Sequence, residues 1–215
     1  DVFIHSWSTM FKDEILECYS PISHIIEEQI EFPVDLEKYG IHGKNIDKWK
    51  CSEHAKAAYA HLVPSRNGVE NVIDELENRL GYRSQSRWYS SKISNDLKLK
   101  HEQENNFKYD FVFSGRLDLA LKFQVPFSQM DKNCIYAPDR KDKTKISEAW
   151  GLNDFYFTGG SEVIDKFSTL YDHRHDYCLR NPFACREHIE KVIGAENIRS
   201  FGDRLFHHFY LARHL

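Results

Sequence analysis

Short apolar runs alternate along the chain with longer amphipathic stretches, the pattern of strands interleaved with helices. Val2-Phe3-Ile4 is an apolar run that ends in the polar pair His5-Ser6, as a central strand does when its C-terminal end opens onto a site. In residues 12–31 the apolar positions Ile15, Leu16, Tyr19, Ile22, Ile25, Ile26 and Ile30 are interrupted by Pro21, which predicts a short helix, a turn and a second element. Residues 32–68 are polar and punctuated by Pro33, Gly40, Gly43, Pro64 and Gly68, and read as a long surface excursion.

Two helical stretches follow. Residues 71–80 place Val72, Ile73, Leu76 and Leu80 on one face, and Gly81 supplies a stop. Residues 84–98 carry Trp88, Tyr89, Ile93 and Leu97 at helical spacing, and the charged tract 98–108 is expected to end that helix in solvent. Tyr109-Asp110-Phe111-Val112-Phe113 is the best strand in the chain, rich in aromatic and β-branched residues. Further strands are expected at 134–137 and 155–158, helices at 161–171 and 186–193, the latter stopped by Gly194, and a closing segment from Ile198. The reading is one α/β domain with a mainly parallel twisted sheet covered by helices on both faces, and residues 2–4 and 110–113 as neighbouring buried strands.

Composition narrows the function classes. With 33 acidic against 29 basic residues the net charge is −4, so nothing draws the whole molecule to nucleic acid or anionic lipid. No apolar run reaches the ~20 residues that span a bilayer, and the first residues lack the pattern of a signal peptide. The odd count of five cysteines at irregular spacing reads as reduced thiols of a cytoplasmic protein. The abrupt opening of a strand at residue 2 reads as a domain that lacks a preceding segment or was cut from a longer chain.

Chemistry is expected where the best strand ends. Ser114-Gly115-Arg116-Leu117-Asp118 follows it, and Arg116 and Asp118, two apart, share a face in extended chain. A carboxylate there can hold Mg²⁺ or Mn²⁺ while a diphosphate fills other positions, and a guanidinium can grip phosphate oxygens bidentately. The two can equally pair with each other. His5 and Trp7 are candidates to stack on a nucleobase, or core residues. Arg87 and Lys92 are phosphate candidates, or a solvated helix face. Asp154, before the strand that ends in Gly159-Gly160, can act as a base on an attacking hydroxyl or simply make a turn; the two glycines would let backbone approach a sugar closely.

Residues 1–7, 86–92, 109–119 and 153–160, taken in order, resemble a family of GT-A-type glycosyltransferases found in bacterial surface-polysaccharide clusters and large algal viruses. Its Ser-x-x-Tyr-Ser-x-Lys element is similar to Ser86, Tyr89, Ser90 and Lys92, and its Arg-x-Asp element to Arg116 and Asp118. The resemblance implies a single GT-A-like domain. It implies transfer of a sugar from a nucleotide-diphosphate donor to a glycan or other hydroxyl acceptor, assisted by Mn²⁺ or Mg²⁺, in the cytoplasm or, for a viral protein, the host cytoplasm. It implies Asp118 as a metal ligand, with His207 or His208 completing the shell, and His5, Trp7, Ser86, Arg87, Tyr89, Ser90, Lys92, Arg116, Gly159 and Gly160 around the donor. Arg116 stands where most such enzymes carry the first aspartate of an Asp-x-Asp, and the family's additional leading strand is absent from these residues. Two alternatives stand beside it: a catalytically inactive glycan- or partner-binding relative, and a zinc-stapled module using His173, His175, Cys178 and Cys185.

Overall fold

One long helix underlies two separate groups of strands. The structure, a computed structural model, describes residues 1–39, 81–121, 124–138, 152, 155–177, 181–200 and 209–211. Strand β1 (Phe3–Ser6) pairs in parallel with β2 (Ser23–Ile26), and helix α1 (Lys12–Tyr19) makes the crossover. Ser20, in the left-handed conformation, caps α1 before Pro21, so the break in the apolar pattern is where the helix ends.

Helix α2 (Tyr82–Asn105) packs against both strands. It outruns the expected stop near residue 98 by almost two turns. The reason is that Lys98 and Glu102, one turn apart, are buried at 2% and 1% exposure and satisfy each other, so the charged tract is partly interior.

The second group is a four-stranded sheet in the order β3 (Val112–Gly115), β6 (Tyr156–Gly159), β5 (Ile135–Ala137), β7 (Ile198–Ser200). Strand β6 runs antiparallel to both neighbours, whereas β5 and β7 are parallel. A separate antiparallel pair joins β4 (Leu119–Leu121) to β8 (Phe209–Leu211). The fold is therefore mixed α/β, and the expected mainly parallel sheet is corrected: β6 returns against its neighbours instead of crossing over. The expectation that residues 2–4 and 110–113 are neighbouring strands of one sheet is corrected too. Strand β1 pairs with β2, β3 pairs with β6, and the two groups are not hydrogen-bonded to each other among the described residues.

Helices α3 (Ser161–Ser168) and α4 (Asn181–Val192) complete the core. Trp88 of α2, Ile135, Ala137 and Phe157 of the sheet, Ile164 and Phe167 of α3, and Ala184 and Ile189 of α4 form one apolar cluster. Burying each large side chain of this set contributes roughly 1.5–3 kcal/mol. Because Trp88, Phe157 and Ile164 meet there, α2 and α3 cover the same side of the sheet. The helix expected at 71–80 and most of the excursion at 32–68 lie outside them, although Phe32 is buried.

Candidate functional site

The C-terminal ends of β1 and β3 open onto one cleft of about 660 Å³, floored by α2. Its α2 side is a single helical face, with Arg83, Ser86, Arg87, Ser90, Ser91 and Ser94 recurring at the three- and four-residue spacing that stacks side chains. His5, Ser6 and Trp7 form one wall, and Ser114 to Asp118 the other. Seven residues expected at the site, His5, Trp7, Ser86, Arg87, Ser90, Arg116 and Asp118, thus meet here from three distant parts of the chain.

The electrostatics are lopsided. Arg83, Arg87 and Arg116 face a cleft whose one lining carboxylate is Asp118, in a chain of net charge −4. Arg116 and Asp118 do share a face, and they use it on each other: Nε donates to Oδ1 at 2.7 Å and the guanidinium to Oδ2 at 2.5 Å. Both carboxylate oxygens of Asp118 are therefore engaged by a guanidinium, and no three His, Cys, Asp or Glu side chains converge into a metal shell among the described residues. This donor set does not fit a divalent cation as it stands. His207 and His208 lie outside the described residues, as does Asp154.

His5 and Trp7 do not stand open for stacking. Trp7 lies on Tyr89, with ring centroids 5.5 Å apart and planes 21° from parallel, and meets His5 edge-on at 4.4 Å; Phe32 and Tyr171 close the cluster behind Tyr89. The rings pack on each other, which is the core reading of His5 and Trp7. Their polar atoms are the available part. His5 Nε2 donates to Glu27 Oε1 at 3.1 Å, and burial outweighs this carboxylate and holds the imidazole pKa below its ordinary value, so His5 is neutral at pH 7. Its buried Nδ1 and the Trp7 Nε1 proton have no partner among the described residues. One acceptor and one donor are thus left beside the cleft.

Several expected site residues make contacts within the fold. Lys92 pairs with Asp96 at 2.8 Å and reaches toward Asp172 at 3.8 Å, away from the cleft. The Ser90 hydroxyl donates to the Ser86 carbonyl within its own helix, and Tyr89 backs Trp7. Gly159 and Gly160 sit at the β5–β6 junction, where a Cβ on Gly159 would stand 2.8 Å from the Cys134 carbonyl oxygen and one on Gly160 would strike the Lys132 carbonyl oxygen. Their smallness admits neighbouring backbone, which gives both glycines a packing role. For the zinc-stapled alternative, His173 pairs with Asp176 at the surface, Cys185 is buried in the apolar core, and Cys178 lies outside the described residues.

Arg83 escaped the sequence reading, although it stands one turn before Arg87 and four-residue spacing is the available signal. Comparison with protein-family models, with curated proteins and with solved structures returns no match.

Proposed function

We propose that the chain is a nucleotide-sugar-dependent glycosyltransferase whose donor diphosphate lies in the cleft between the ends of β1 and β3. The observation that carries this reading is the gathering of Arg83, Arg87 and Arg116 around one cleft of an otherwise acidic chain. Planar guanidinium forks match phosphate oxygens, and fixed positive groups stabilise the charge that develops on a departing diphosphate. The Trp7 indole proton and the His5 Nδ1 lone pair are suited to the hydrogen-bonding edges of a sugar or base.

In the transfer, the bond from the anomeric carbon to the diphosphate oxygen breaks as the acceptor oxygen bonds to that carbon. The hydroxyl proton passes to a base, the role proposed for Asp154, and the electron pair leaves with the nucleoside diphosphate. Arginines carry the leaving-group charge in this reading, because Asp118 is already held by Arg116.

Thermal-shift titration with a panel of nucleotide sugars, in manganese and in chelator, tests this. A ligand at a hundred times its Kd stabilises the native state by about 2.7 kcal/mol. At least one donor is expected to raise the midpoint of the wild-type chain, and Arg87→Ala and Arg116→Ala to abolish most of that rise. Persistence in chelator assigns the diphosphate to the arginines; dependence on manganese returns Asp118 to metal duty. A panel without any shift overturns the proposal. Donor binding without turnover on any hydroxyl acceptor favours the inactive binding relative, a reading the spent Asp118 carboxylate supports.

A further inference from the structure

Beyond β3 the chain turns at once. The Leu119 amide donates to the Arg116 carbonyl at 3.2 Å, the closing bond of a tight turn that leads into β4. The Tyr19 hydroxyl donates to the Leu117 carbonyl at 3.2 Å, which ties the tip of this turn to the end of α1. Arg116 and Asp118 are thereby presented together on the cleft wall, and their bidentate pair uses the Nε edge of the guanidinium. That edge is a fork of parallel N–H groups, which receives a carboxylate or a phosphate in the same way. Asp118 therefore fills on Arg116 the place that a phosphate in the cleft would take. The pair is partly open to water, its side chains 24% and 30% exposed, and an ion pair of that kind is held weakly. Its exchange for another anion costs little.

We propose that Asp118 is an internal competitor for Arg116, an autoinhibitory contact that a diphosphate displaces on entering the cleft. The exchange changes no covalent bond: two hydrogen bonds pass from the carboxylate to phosphate oxygens, and the carboxylate turns toward water. Arg83 and Arg87, on the α2 side, hold the anion while Arg116 changes partner. The turn keeps the carboxylate close, so it recaptures Arg116 once the sugar is transferred and speeds the departure of the nucleoside diphosphate. A ligand that has to displace a resident anion binds more weakly, by the stability of the pair it breaks. This inference rests on the reading of the cleft as a diphosphate site and adds to it what Asp118 does there.

Calorimetric titration with inorganic pyrophosphate, in chelator, tests it. Asp118→Asn keeps the shape of the side chain and removes its charge, and is expected to bind about fivefold more tightly than the wild-type chain. Loss of a negative charge would raise affinity by itself, so the deciding comparison is made without the arginine. Arg116→Ala is expected to bind more weakly than wild type, and adding Asp118→Asn to it to gain less than about twofold. In the wild-type chain the Arg116 Nε–H resonance should move as pyrophosphate is added, a reading that needs no variant. Equal or weaker binding by Asp118→Asn overturns the proposal, as does the same gain in both backgrounds or a stationary resonance. The expected gain in a chain that no nucleotide sugar stabilises keeps the competitor and removes the donor. A nucleotide sugar that wild type and Asp118→Asn bind equally does the reverse.

Discussion

Gly160 shows how a residue's neighbours decide its meaning. Its amide donates to the Lys132 carbonyl at 3.0 Å, and the same oxygen occupies the space a Cβ would need. Gly160→Ala is therefore expected to cost roughly 1–3 kcal/mol, the usual scale of overpacking, in urea denaturation. Nucleotide-sugar affinity of the folded variant should stay at the wild-type value; a selective loss of affinity would restore the sugar-facing role. Asp154 is the opposite case, a residue whose role is carried by sequence position alone. Asp154→Asn is expected to lower kcat by ~10²–10⁴-fold with donor affinity unchanged, the scale for losing a general base. A loss confined to donor affinity would move it to the other substrate.

At the scale of elements, a buried ionic network fixes α2 against α3. Lys98 donates to Ser161, to Asp165 and, at 3.2 Å, to Glu102; Ser161 donates to Glu102 at 2.6 Å, and so does the Tyr109 amide at 2.9 Å. Burial alone would raise the Glu102 pKa, yet these hydrogen bonds together hold it below its ordinary value. Removing one partner leaves the others buried and uncompensated. Lys98→Ala is accordingly expected to destabilise the fold by about 3–5 kcal/mol, read from the urea midpoint, whereas Lys100→Ala on the exposed face should change it by less than about 0.5 kcal/mol. Comparable effects of the two substitutions would show that the network contributes little. The network also explains the length of α2, because the helix continues where its charges find partners. Helical spacing around Trp88 made the element itself legible, but its end depended on residues about sixty positions away.

For the molecule as a whole, His188 couples stability to pH. It is fully buried, its Nε2 proton donates to the Lys166 carbonyl at 3.1 Å, and its Nδ1 accepts from the Tyr177 hydroxyl at 3.0 Å. Neutral imidazole is thus satisfied on both sides, and burial pushes its pKa down to about 4 from 6.5. The unfolded chain binds the proton first, so this contribution is intact above pH 6.5 and is lost as pH falls toward 4, by about 3 kcal/mol in all. Urea unfolding from pH 7 to pH 4 is expected to show the decline, and His188→Gln to flatten it; an unchanged slope would place the titration elsewhere. The local pattern of apolar and polar residues determined where most described strands and helices lie, that the chain is α/β, and that the runs at residues 2–4 and 109–113 each lead into polar residues, because periodicity and turn residues act over a few positions. It located seven of the residues that line the cleft without revealing the bidentate Arg116–Asp118 pair, the return of β6, the burial of Lys98 and Glu102, or the backbone pressed against Gly160. Only the tertiary structure decided these, since desolvation, strand order and close packing are set by neighbours remote in sequence, and a side chain free to face solvent has the same local pattern as one forced to find a partner.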